Sequence, residues 1–228
     1  MWFFLPLLIF IAIFGFKQIK DQIAVIRWKR TLNLNKQADI FNKLYANIDG
    51  FTLSRQARDG YDAIEYLYGE IKFEHFIALL SLCRPNSSTV FYDLGSGTGK
   101  AVLACSMVFK VKKSLGVELF DSLHQVAISQ KMHLREIKDY ELQADTIQFI
   151  NGDFIQTDLT EATIVFINST AFIGETWHKI SQHLHQLKSG TLVISTSKPL
   201  PASSFIMQHI TLVAMSWGVV KAFIQQRI

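Results

Sequence analysis

From about Tyr66 to the end of the chain, short apolar runs rich in β-formers alternate with amphipathic stretches. TVFYD (89–93), SLGVE (114–118), TIQFI (146–150), ATIVFIN (162–168) and TLVIST (191–196) are near-continuous in apolar residues, the pattern of strands buried on both faces. AVLACSMVF (101–109), a polar stretch from Asp121 and residues 174–187 lie between them with helical character. Such alternation predicts a parallel sheet with crossover helices, an α/β domain. The end breaks the rhythm: ITLVAMSWGVVKAFIQQRI (210–228) reads as two strands joined tightly at Trp217–Gly218, which predicts an antiparallel hairpin closing the sheet.

The N-terminus has a different pattern. Residues 1–16 contain no charged side chain, and at 1.5 Å per residue they would form roughly 24 Å of helix against a bilayer core of about 30 Å. Lys17 and Lys20 could snorkel across the difference, so a single transmembrane anchor is expected over 1–16. A signal peptide fits less well, because no basic region precedes the apolar run. The segment 17–50 is expected to be a basic juxtamembrane stretch followed by a linker with helical character, since Ile19, Ile23 and Ile26 continue at helical spacing. Residues 51–228 are left for one catalytic domain.

Charge sharpens this division. The chain's formal net charge of +4 resides entirely in residues 17–30, leaving residues 31–228 neutral overall. The positive-inside rule then predicts a domain on the cytoplasmic side of a membrane, and nucleic acid is not expected as a partner. A hydrophobic content of 49% and a mean hydropathy of +0.20 agree with an apolar appendage. Cys83 and Cys105 have neither CxxC spacing nor nearby His partners, so no disulfide framework and no metal site are expected.

The strongest chemical signal is Asp93-Leu94-Gly95-Ser96-Gly97-Thr98-Gly99, placed where a buried strand ends and a helix begins. Glycines there let the backbone turn sharply and approach a ligand closely. A Walker A loop ending in Gly99-Lys100 needs Gly at 94 and Ser or Thr at 101, positions held by Leu94 and Ala101. A dinucleotide loop needs its third glycine one place later, and the acid at the loop's entrance would repel pyrophosphate. Asp93 suits a ligand carrying a cationic amino acid. Glu118 ends the next strand, where a carboxylate can accept from both ribose hydroxyls. Asp153 and Phe154 follow the third strand, placed for an adenine amino group and its ring face.

From Tyr68 to Trp217 the chain resembles the disruptor-of-telomeric-silencing type of lysine methyltransferases, which lack a SET domain. The resemblance rests on LYGEIKFEHFIALL (67–80), FYDLGSGTGK (91–100), LGVE (115–118), NGDF (151–154), IVFINSTAFIGE (164–175) and SKPL (197–200). It implies the Rossmann-like class I methyltransferase fold and S-adenosyl-L-methionine as methyl donor. By the same resemblance Tyr68, Gly69 and Glu70 form a loop closing on the donor. Gly95, Ser96, Gly97, Gly99 and Lys100 join Asp93 in the glycine loop, Glu118 takes the ribose, and Asp153 with Phe154 takes the adenine. Asn168, Phe172 and Trp217 are expected to line an acceptor channel in which a lysine loses its proton by desolvation. Two positions depart from the family pattern, Ser169 for a second asparagine and Lys100 for a glutamine. Three readings stay open: a protein-lysine acceptor, a small-molecule or lipid acceptor, and a non-catalytic sensor of the donor. His178, His183 and His185 are expected at solvated or rim positions.

Overall fold

The computed structural model describes residues 20–58 and 68–228. The helices are α1 (20–31), α2 (Leu34–Leu44), α3 (Gly50–Ala57), α4 (Phe73–Leu82), α5 (Lys100–Val108), α6 (Asp121–Arg135), α7 (Glu141–Asp145) and α8 (Gly174–His183). The strands are β1 (Val90–Leu94), β2 (Lys113–Glu118), β3 (Ile147–Asn151), β4 (Ile164–Ile167), β5 (Leu192–Thr196), β6 (Phe205–Met215) and β7 (Gly218–Arg227). They form one sheet in the order β3-β2-β1-β4-β5-β7-β6. β1 to β5 pair in parallel, while β7 lies antiparallel to both β5 and β6. The five expected strands and the expected C-terminal pair are all present. β6 begins at Phe205, five residues before the hairpin expected from residue 210, because residues 206–210 are exposed on both faces and lack an apolar-polar alternation.

Side-chain alternation sorts the strands' residues between two cores. Phe91, Ile164, Phe166 and Ile194 join α2, α4 and α5 on one face; Tyr92, Leu94, Val165, Ile167 and Val193 pack beneath α8 on the other. Helix α5 is buried from Ala101 to Met107, which explains its lack of a polar stripe. Burial pushes the Cys83 thiol up to about 12 and raises that of Cys105 still further, in keeping with inert core thiols.

The domain boundary expected after residue 50 falls in the first turn of α3 and leaves out α2, whose Leu34 and Phe41, followed by Tyr45, belong to the first core. The expected anchor, residues 1–16, lies outside the described residues. The single-pass membrane location expected from the sequence finds no support in the described residues, among which no helix is long and apolar enough to cross a membrane. α1 carries Asp21, Arg27, Lys29 and Arg30 and docks on the domain, where Trp28 Nε1 donates to Ser81 Oγ at 3.1 Å and Lys29 pairs with Glu74 at 2.8 Å.

Strand order reverses between β1 and β4, and their carboxyl ends open on the same edge as that of β2. This is the crevice in which open α/β sheets bind ligands.

Candidate active site

The glycine loop leaves β1 and folds over the end of β2. Gly95 N–H and Ser96 N–H both donate to Val117 O, at 2.9 and 3.0 Å. Gly97 and Gly99 have φ of 53° and 84°, in the left-handed region. A Cβ on Gly99 would stand 2.7 Å from the Phe149 ring, and one on Gly97 2.7 Å from the Tyr68 ring. The loop is therefore clamped between β3 and the segment before α4.

Two buried carboxyls flank it. Glu118 accepts from Gly97 N–H at 2.8 Å and from Phe120 N–H at 3.0 Å. Burial raises its pKa and these backbone bonds partly offset the rise. Asp93 is 4% exposed. Burial, and then the charge of Glu118, pushes its pKa well above the usual carboxylate range. Among the described residues no hydrogen bond or ion pair reaches its side chain, and burial without such a partner disfavours its charged form.

The Tyr68-Gly69-Glu70 segment is strapped to the tip of the C-terminal hairpin. Lys72 N–H donates to Ala214 O at 3.0 Å, Ser216 N–H donates to Glu70 O at 2.8 Å, and Ile71 bridges Met215. Tyr68 Oη donates to Glu70 Oε1 at 2.7 Å and lies 3.2 Å from Thr98 Oγ1. Its phenol pKa is raised by burial and then by the charge of Glu70. Lys100 Nζ meets Glu70 Oε2 at 2.6 Å and sits 5.1 Å from the centroid of the Tyr45 ring. Tyr45, whose hydroxyl donates to Thr98 O at 3.1 Å, escaped the sequence analysis because it lies in a stretch that reads as linker.

Trp217 lies across Gly69 so closely that a Cβ there would stand 1.8 Å from its ring. Asn168, just beyond β4, donates from Nδ2 to Gly69 O at 3.1 Å and accepts at Oδ1 from Thr196 Oγ1 at 2.7 Å. Asn168 and Trp217 thus both contact Gly69. Ser169 is fully buried and donates to Thr196 O, so its side chain faces the sheet. At the far end Asp153 accepts from Ile155 N–H at 2.9 Å and caps a short 3-10 turn, while Phe154 packs against Phe172 with ring centroids 5.8 Å apart. The expected residues therefore lie at or just beyond the carboxyl ends of β1 to β4 and in the strap and hairpin tip joined to each other beside them. His178 and His185 are exposed, and half-buried His183 lies 3.1 Å from Thr157 O. Among the described residues no group of His, Cys, Asp and Glu is placed to hold a metal ion.

Fold and crevice define a class before they define a family. An RNA methyltransferase from Salinibacter ruber, solved in complex with S-adenosyl-L-homocysteine, matches 67% of this chain and 89% of its own at 24% identity, with a TM-score of 0.51. That likeness places the chain in the Rossmann-like α/β fold of methyltransferases. The sequence pattern described as "Histone methylation protein DOT1" matches residues 54–216, and the chain belongs to this family. Two relatives are named "Histone-lysine N-methyltransferase, H3 lysine-79 specific". The one from Caenorhabditis elegans is 31% identical over 58% of this chain, and the one from Kluyveromyces lactis is 26% identical over 60%. The matches span only 15% and 25% of those relatives' own lengths. The single-pass membrane location expected from the sequence is corrected on this ground, because the family and these relatives are named for histone methylation.

Proposed function

We propose that this protein is a methyltransferase that uses S-adenosyl-L-methionine to methylate a protein lysine, with residues 51–228 as its catalytic part and α2 completing that part's core. The observation that carries the reading is the pair of buried carboxyls, Asp93 without a hydrogen-bond partner among the described residues and Glu118 tied to the glycine loop. A ligand with a cationic amino acid and a ribose matches both. Asp93 faces the cation, Glu118 has lone pairs left for ribose hydroxyls, and Asp153 with Phe154 lies where adenine would rest. When bound, the donor supplies a methyl group already activated by its sulfonium.

The protein's own task is then alignment and exclusion of water. Asn168 and Trp217, meeting at Gly69, and Phe172 form an aperture with apolar walls. A lysine entering it sheds its hydration, its pKa falls, and the neutral amine becomes competent to attack. Glu70 and Lys100, already paired, hold Tyr68 over the glycine loop. Neither departure from the family pattern obstructs this arrangement, since Ser169 faces away and Lys100 joins the strap.

Calorimetry on the full chain tests the donor site. It is expected to show binding of S-adenosyl-L-methionine and S-adenosyl-L-homocysteine, weakened at least roughly tenfold, about 1.4 kcal/mol, by Asp93→Ala or Glu118→Ala. Unchanged affinity in both variants would remove the assignment.

A further inference from the structure

The SKPL motif contains a lysine that the donor site does not use. Lys198 is half-buried, and its Nζ donates to Phe172 O and lies 3.5 Å from Thr170 O, with the Trp177 ring centroid 5.9 Å away. Among the described residues it forms no ion pair. Burial lowers its pKa, so the surroundings do not favour its charge. A cation kept in such a place needs a compensating use.

The turn bearing Lys198 is itself unusual. Ser197 has φ of 66°, a left-handed conformation rare outside glycine, and is held there by its N–H donating to Lys221 O at 2.7 Å. Lys198 N–H donates to Thr196 O at 2.8 Å, and Lys198 O accepts from Ser195 Oγ at 2.9 Å. Between the turns that follow the adjacent strands β4 and β5, Thr170 Oγ1 stands 2.7 Å from Ser197 Oγ. The turn after β5 is thereby fastened to the turn after β4. Lys198 reaches furthest, crossing to the carbonyls between Asn168 and Phe172.

We propose that Lys198 is a positioning residue: it pins the Thr170–Phe172 turn so that Asn168 stays on Gly69 and Phe172 stays on Phe154, keeping the acceptor aperture in register with the donor crevice. The aperture's role rests on the function proposed above; the pin itself does not. The ammonium acts by hydrogen bonds to backbone carbonyls and exchanges no proton with substrate. Methionine matches the lysine stem without the charge, and arginine retains donors on a similar stem.

The test uses the full chain. In Lys198→Met, amide hydrogen exchange over residues 168–173 should rise at least roughly tenfold while β1, β4 and β5 keep their protection. Lys198→Arg should restore most of that protection. With core histones as acceptor probe and the donor concentration varied, Lys198→Met should lower kcat at least roughly tenfold and leave the donor KM nearly unchanged. Wild-type exchange in Lys198→Met would overturn the pin, and a uniform rise across the sheet would reduce Lys198 to a structural residue. If wild type binds no donor, the functional reading fails, while the exchange data still decide whether Lys198 holds the turn.

Discussion

At the scale of single residues, Asp93 sets binding against stability. Its folded-state pKa is raised, so the stability it contributes is present below the ordinary carboxylate range and lost as pH rises through the raised value. Above that raised value the free protein carries a buried carboxylate with no hydrogen-bond or ion-pair partner among the described residues. Asp93→Asn should therefore raise the melting temperature of the free protein near pH 8 by about 3 °C or more, as removal of an unmet charge worth about 1–3 kcal/mol implies. The gain should vanish toward pH 4, and a pH series of thermal melts checks it. The same substitution should weaken binding of the cationic donor, and wild-type affinity should fall as pH falls through the raised Asp93 value. Glu118 differs because two backbone N–H groups already hold it.

At the scale of elements, the strap over residues 70–72 and the tip of the β6–β7 hairpin act together. Two backbone hydrogen bonds and a bridge join them, and Trp217 rests on a position where only glycine fits. Gly69→Ala should force them apart, shifting tryptophan fluorescence to the red and lowering methyl transfer at least roughly tenfold. Gly69→Ala combined with Trp217→Ala should restore strap docking, read by hydrogen exchange at residues 70–72, because the clash is steric and the strand pairing survives. Strands β1 to β5 were legible in the sequence because strands covered on both faces are apolar runs. The start of β6 and α3 were not, and α2 was legible only as part of a linker with helical character, not as a core element. β6 projects with five consecutive exposed residues, and α2 and α3 are short and largely polar, with only Leu34, Phe41, Gly50 and Ser54 buried.

At the scale of the whole molecule, the helices before residue 51 complete the domain. Leu34 is fully buried, and Phe41 and Tyr45 are each 7% exposed. Tyr45 also ties the core to the glycine loop through Thr98 O. A chain beginning at residue 51 should lose about 5 kcal/mol or more, since burying each large apolar side chain is worth about 1.5–3 kcal/mol. That loss approaches the whole stability of an ordinary domain. Denaturant titration of 20–228 against 51–228 measures it.

The sequence by itself determined the order of β1 to β5 and the C-terminal strand pair, the glycine turn after β1 and the acids near the ends of β1 and β2. Each depends on local backbone freedom or on the period of burial, which neighbouring residues specify. Tertiary structure alone decided that Trp217 covers Gly69, that Asn168 holds Gly69 O, that Lys198 reaches the turn after β4, and that α2 belongs to the core. Those contacts join residues far apart in the chain, 99 positions in the case of Asn168 and Gly69. They exist only once a parallel sheet has brought its strands' carboxyl ends to one edge, where packing rather than local pattern selects the partners.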